Sequence, residues 1–342
     1  MSGTLEYPFP EPPPAHEPRE IAPGFFWVRM PLPFPPDHIN LWMIEDGQGW
    51  TIVDTGLARD DSRAVWESAF AKLTPGRPVK RVICTHFHPD HMGLAAWLTE
   101  RWGVELWMTS AEWYMARAIH ALGSPADIAQ RVSFYRDNGV DEAGLGQFGQ
   151  PENLYRRGVP AVPASFRRID AGDVLRIGGH DWLPVIGRGH CPEHACLWSP
   201  SLNVLIAGDI LLPRISPNVS VWPAEPHANP LAAYLGSLGN FAGITDDALT
   251  LPAHGLPYRG VHNRIAQLRA HHRSGLDALA AALTPEGLRA TDCFSMLFKR
   301  AVGPHNIGLA IGEALAHLHF LETLGRARRV RDAAGVWRFA RP

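Results

Sequence analysis

Residues 79–93 are Val79-Lys80-Arg81-Val82-Ile83-Cys84-Thr85-His86-Phe87-His88-Pro89-Asp90-His91-Met92-Gly93. Val79 to Cys84, with Val79, Val82 and Ile83 β-branched, reads as a short buried strand. A helical pattern opens after Pro89 and runs to about Arg101. A strand, a polar loop and a helix therefore meet within fifteen residues. His86 and His88 lie two apart at the strand end, so alternation sends both to one side and Phe87 to the other. Neutral imidazole and carboxylate are suitable donors for zinc, manganese or iron. His86 and His88 can reach one ion, and Asp90 and His91, where the chain turns into the helix, can reach a second.

Two such sites need further ligands, and the chain supplies them outward from this point. Upstream, Gly24–Met30, His38–Ile44 and Gly49–Val53 read as successive strands separated by Pro, Asp and Gly turns, the last ending in Val53-Asp54-Thr55-Gly56. Asp60–Leu73 has helical periodicity up to the break at Thr74-Pro75-Gly76. Downstream, strand signals return from Phe166 to Ile186 and from Ala195 to Leu205. Polar loops follow at Gly189-His190-Cys191-Pro192, Ala207-Gly208-Asp209 and Pro252-Ala253-His254-Gly255. His190, Asp209 and His254 thus each stand just past a strand, where ligands from separate strands converge on one rim. Five histidines and two aspartates complete a set for two ions.

Composition limits the rest. A chain of 342 residues exceeds what one core usually serves, so a large domain with a smaller one is expected. The formal net charge of −2 argues against a strongly basic nucleic-acid binder. Cys84, Cys191, Cys196 and Cys293 are the four cysteines, with no CxxC spacing and too few for a disulfide framework, which suits a reducing compartment. With no long apolar run and no leader pattern, a cytoplasmic protein without a membrane span is the expectation. Residues 1–20 form a proline-rich arm, with six prolines between 8 and 18. Residues 21–275 form the main domain, in which 110–160 read as a helical cap insertion, and 276–342 form a small tail domain. No GxSxG elbow, P-loop or GxGxxG after a strand appears.

The order HFHPDH, GH, GD and HG resembles the signature motifs of the metallo-β-lactamase superfamily across roughly residues 21–275. That resemblance implies an α/β fold of the αββα sandwich type, two mixed sheets flanked by helices. It implies that His86, His88 and His190 hold one metal, that Asp90, His91 and His254 hold the other, and that Asp209 bridges them. The family's aspartate in the VDTG turn falls on Asp54, which is implied to support the ligand loop from behind; on its own an aspartate there could equally cap a turn. His194, four residues past His190, either supports a ligand or faces the substrate. His16, His120, His227, His262, His271, His272, His305, His317 and His319 read as structural, and Cys84 and Cys191 as buried thiols.

The chemistry implied is hydrolysis by a hydroxide bridging two divalent ions, zinc first, with iron or manganese also accepted. Asp90 would orient it and Asp209 would span both ions. The aspartate at 209, where true β-lactamases of the superfamily typically carry cysteine or serine, disfavours antibiotic hydrolysis. Gly93-Leu94 departs from the Gly-Gly usual in the glyoxalase II-like group. The tail, two short helices, a longer one from about His305 to Leu324 and a hairpin from Arg328 to Phe339, resembles the winged-helix extension of the β-lactamase-like protein 2 group. Aromatic residues of the cap (Trp107, Trp113, Tyr114, Phe134, Tyr135, Phe148, Tyr155) are expected either to wall the site or to fill a helical core. The expected substrate is a small ester, thioester or lactone. A phosphodiesterase or ribonuclease is the alternative enzyme, and a metal-containing regulator binding nucleic acid or protein through its tail the alternative of another class. The tail carries nine Lys or Arg against five Asp or Glu from Thr284 to Pro342, too small an excess to favour nucleic acid. Self-association stays open.

Overall fold

Phe25 to Val53 is dense in β-branched and aromatic residues, and in the computed structural model, which describes residues 3–342, it forms the start of a seven-stranded sheet. The strands are β1 (Arg19–Ala22), β2 (Phe25–Pro31), β3 (His38–Asp46), β4 (Gly49–Val53), β5 (Val79–Ile83), β6 (Leu106–Met108) and β7 (Arg167–Arg168), neighbours in that order. β1 to β4 run antiparallel, and β4 to β7 are parallel. A five-stranded sheet follows: β8 (Leu175–Ile177), β9 (His180–Gly187), β10 (His194–Ser199), β11 (Val204–Gly208) and β12 (Leu249–Pro252), ordered β12-β11-β10-β9-β8. Its pairs are antiparallel except β11 with β12.

Period-two alternation builds the layers. On β2 and β3, Phe25, Trp27, Trp42 and Ile44 face Leu175, Trp182, Leu197, Ile206 and Leu251 of the second sheet. The intervening Val28, Met30, Leu41 and Met43 pack instead against Trp66, Ala69 and Phe70 of the helix Asp60–Leu73 and Leu98 of the helix Ala95–Trp102. Trp27, Trp42, Trp50, Trp66 and Trp182 are among the largest fully buried side chains. Each withdraws on the order of 200 Å² from water, about 5 kcal/mol of gross burial before entropy is counted. On the second sheet Cys196, Leu205 and Ala207 are buried on the alternate face. Beyond it Arg264, in the first turn of the helix Val261–Ala282, donates to the Leu212 and Ile215 carbonyls. The expected αββα sandwich is the fold observed. No described helix is long and apolar enough to cross a membrane.

The helix expected from Pro89 to Arg101 is two helices, Pro89–Met92 and Ala95–Trp102: the Leu94 N–H is drawn to the Gly56 carbonyl and the Thr55 hydroxyl in place of a carbonyl of its own helix, and the chain passes close to its neighbours at Gly93. A Cβ there would lie 2.5 Å from the Gly158 carbonyl oxygen and 2.6 Å from the Ala58 nitrogen. Both are backbone atoms, so only glycine fits.

Contacts divide the chain into two compact units, and the second comprises residues 122–152, 218–239 and 266–342. The segment read as one cap is thus shared. The helices Ser110–Ala121 and Leu154–Gly158 belong with the sheets, while Pro125–Asp137 and Glu142–Leu145 belong with the tail. The break falls at Gly123-Ser124-Pro125, where Ser124 and Asp127 form a reciprocal cap for the next helix. Within the second unit Tyr135 stacks on Phe148 with ring centroids 3.6 Å apart, and Arg331 pairs with Asp137 at 2.9 Å. The aromatics of 122–152 therefore pack into a helical core.

The tail itself contains the turns Ala290–Cys293 and Phe294–Leu297, the helix Ile307–Thr323 and the hairpin β13 (Arg328–Arg331) with β14 (Trp337–Ala340). Along Ile307–Thr323, Glu313 is drawn inward and accepts a hydrogen bond from Asn218 Nδ2 at 3.3 Å. Burial pushes its carboxyl up to about 7 from an ordinary 4.5. The folded chain therefore keeps a proton that the unfolded chain releases, and stability is lost as the pH rises through that window. Glu313→Gln should raise the melting temperature at pH 9 and leave it nearly unchanged at pH 4.5; equal shifts at both would refute this account.

Candidate metal centre

β5 ends at Ile83, so His86 and His88 stand in a loop, and strand alternation does not aim them. Three buried residues, Asp54, Tyr155 and Glu112, do so. Asp54, at the end of β4, accepts the Thr85 N–H through Oδ1 at 2.8 Å and binds the Thr85 hydroxyl. Its Oδ2 lies 2.8 Å from His91 Nδ1. Tyr155 donates its hydroxyl hydrogen to the Phe87 carbonyl at 2.7 Å, and Glu112 Oε2 accepts the Phe87 N–H at 3.0 Å. Phe87, buried among the helices, anchors the loop between its two histidines. Asp54 has φ +62°, a conformation uncommon for anything but glycine, asparagine and aspartate.

The remaining residues arrive from the second sheet. His190 lies in the loop between β9 and β10, Asp209 directly after β11 and His254 directly after β12. Ring and carboxylate atoms of His86, His88, His190 and Asp209 come within 4.8 Å of one another, as do those of Asp90, His91 and His254. In the first group His86 Nε2 is 2.9 Å from His88 Nδ1 and 3.3 Å from His190 Nε2, and His190 Nε2 is 3.2 Å from Asp209 Oδ2. In the second, His254 Nε2 is 3.4 Å from Asp90 Oδ2, and His91 Nε2 is 3.7 Å from it. The other oxygen of Asp209, Oδ1, is 3.5 Å from both His91 Nε2 and His254 Nε2. Asp209 thus turns one oxygen to each group. All seven residues named from the sequence meet here.

The spacing suits cations. Donors about 2.0–2.1 Å from a tetrahedral zinc are separated by roughly 3.3 Å, close to the distances found. His91 Nε2 and Asp209 Oδ1 are buried without a hydrogen-bond partner, an arrangement costly unless a further group engages both. Burial, reinforced by neighbouring imidazoles, holds His86 well below its ordinary pKa, and burial followed by His190 brings His88 down to about 3. Both are thereby kept in the neutral form that binds metal. On His91 burial opposes charge but is outweighed by Asp54, Asp90 and Asp209, which hold the imidazole well above its usual value. On Asp209 burial opposes ionisation and is outweighed by His254 and His91, so its carboxyl sits well below the usual range. The two carboxylates, Asp90 and Asp209, supply negative charge that suits divalent cations. His88 and Asp90 are the least buried of the seven, which makes theirs the open side.

Supporting residues surround the cluster. His194 is fully buried beneath it: its Nε2 accepts the Asp209 N–H at 3.1 Å and its Nδ1 lies 3.4 Å from Cys196 Sγ. It orients Asp209 from below. Gly208 makes room, since a Cβ there would collide with the His194 ring. His38 escapes sequence reasoning because it looks like the polar start of a strand. Its carbonyl accepts the His254 Nδ1–H at 2.7 Å, and its Nε2 accepts the Gly255 N–H at 2.8 Å. Asn40 Nδ2 donates to the Pro252 and Gly255 carbonyls. Cys84 and Cys191 are buried thiols beside the ligand loops.

The pattern of the Metallo-beta-lactamase superfamily matches residues 34–254, and that of the Metallo-beta-lactamase-like, C-terminal domain matches 276–342. The chain belongs to the metallo-β-lactamase superfamily and is a metal-dependent hydrolase. A beta-lactamase domain protein from Burkholderia ambifaria is 44% identical over 98% of both chains, with a TM-score of 0.87. A metallo-beta-lactamase family protein from Thermus thermophilus is 27% identical over 94% of this chain and 100% of its own, with a TM-score of 0.78. A Bacillus subtilis (strain 168) protein described as a probable metallo-hydrolase is 23% identical over 86% of this chain and 91% of its own.

Proposed function

We propose that the protein is a dinuclear metal-dependent hydrolase cleaving a small ester, thioester or lactone. The observation that carries the reading is the pair of ligand groups sharing Asp209, whose two oxygens face separate sets of imidazoles. In it His86, His88 and His190 hold one divalent ion, Asp90, His91 and His254 the other, and Asp209 both. Zinc fits this donor set, and iron or manganese are accepted by it. When bound, such a pair acidifies water toward neutrality and polarises a carbonyl oxygen.

The chain's own residues do the rest. Asp90, on the open side, accepts a hydrogen bond from the attacking water and orients it. Asp54 fixes the His91 ring through Nδ1, leaving Nε2 to the site. His38 does the same for His254 through its carbonyl. Exposed Phe34 and Ile215 stand on the loops leading into His38 and out of Asp209, and support an apolar acyl group over a polyanion.

One observation favours a phosphodiesterase instead. Arg81, Trp107, Arg167, Arg168 and Arg176 line a cleft of about 550 Å³. Three of these arginines are already paired, with Asp46, Asp170 and Asp181, and none of the seven cluster residues lines the cleft. We therefore rank phosphodiester cleavage second. The tail's order of short helices, long helix and hairpin supports a winged-helix-like extension. Zinc-loaded protein assayed on matched thioester, lactone, phosphodiester and β-lactam substrates tests the reading. Turnover of thioester or lactone, abolished by chelator and restored by zinc, is expected; preference for the phosphodiester would reverse the ranking.

A further inference from the structure

We infer that Glu112 is the positioning residue that locks the two loops of the first ligand group together. It lies near the start of the helix Ser110–Ala121, immediately after β6, and is fully buried. Oε2 accepts the N–H of Phe87, the residue between His86 and His88, at 3.0 Å. Oε1 accepts the N–H of Glu193, between His190 and His194, at 2.6 Å. The carboxylate also binds the Cys191 thiol, next to His190. One side chain therefore spans the strand-end loop of the first sheet and the β9–β10 loop of the second, and His86, His88 and His190 lie on either side of its contacts.

Only a carboxylate does this. Each oxygen meets a backbone donor, so an amide satisfies one and turns its own N–H against the other. Aspartate is a methylene short of the span. A buried carboxylate whose oxygens are taken by backbone N–H groups instead of a cation is expensive to keep, and a purely structural brace needs no charge. Next to a cation site the charge has a use, since it adds to the field that favours a divalent ion at His190. The second group is supported differently: its His91 and His254 are held by Asp54 and the His38 carbonyl.

The inference rests on the dinuclear reading, and its test separates the two. Zinc affinity is measured by chelator competition in full-length protein carrying His254→Ala, which disables the second group, and in protein carrying His88→Ala, which disables the first, each with and without Glu112→Gln. Loss of such a supporting contact is expected to weaken zinc by about 10- to 100-fold in the His254→Ala background and to leave the His88→Ala background unchanged. The absorption spectrum of the cobalt-substituted protein should change in the first background alone. Equal effects in both backgrounds, or a lower melting temperature with unchanged affinity, would make Glu112 an ordinary brace and overturn the inference. If Glu112→Gln does not fold, Glu112→Asp is measured in the same way, with the same outcomes deciding. Wild-type protein that takes up no zinc would sink the dinuclear reading itself.

Discussion

Asp209→Asn should lower kcat by about 10³-fold, roughly 4 kcal/mol of transition-state stabilisation, and, on the dinuclear reading proposed above, halve the bound metal from two ions per chain to one. The asparagine side chain has the same shape, so the fold should persist. Its charge and one of its two acceptors are lost. At present Oδ2 faces His190 at 3.2 Å and Oδ1 faces His91 and His254 at 3.5 Å. An amide can turn its oxygen toward only one group, and its NH2 then points at a cation in the other. His194 continues to accept the backbone N–H of residue 209, so the loop should stay in place and the loss should report on the carboxylate. Steady-state kinetics with elemental analysis of the same preparation measure both quantities. Two ions retained with unchanged kcat would remove Asp209 from its bridging position.

The seven residues of the cluster were legible because the fold makes their positions regular. His190, Asp209 and His254 each follow a strand of the second sheet, and strand ends on one edge are near in space whatever their separation in sequence. The strands were legible for a related reason: those between Phe25 and Val53 bury residues on both faces, which requires apolar runs between turn residues. Residues that act from behind were not legible. Glu112 sits on an ordinary amphipathic helix, and its partners Phe87 and Glu193 are 25 and 81 residues away, so no local spacing announces it. His38 and Asn40 serve through a carbonyl and an amide, groups found everywhere along a chain. The division of residues 110–160 between two units was hidden likewise. Helical periodicity shows that a helix buries one face but says nothing of which body it is buried in.

Asp54→Ala carries the second large effect, because one residue there meets three demands. Its carboxylate accepts from Thr85 N–H and from His91 Nδ1, its backbone adopts φ +62°, and it is almost wholly buried. Alanine is strained in that conformation and leaves both donors without partners inside the protein. Removing one member of a buried, hydrogen-bonded pair of this kind costs about 3–5 kcal/mol. Freed of its partner, the His91 ring can rotate or change tautomer, and zinc affinity should fall a further 10- to 100-fold, roughly what is typical when such a support is lost. Asp54→Asn separates the two effects. Asparagine tolerates the left-handed backbone, so most of the stability should return, yet it offers one acceptor where two are needed. Denaturant unfolding of the metal-free proteins, set beside zinc titrations of the folded ones, reads each effect alone. Asparagine that restored stability and zinc affinity together would show that Asp54 shapes the turn and does nothing for His91.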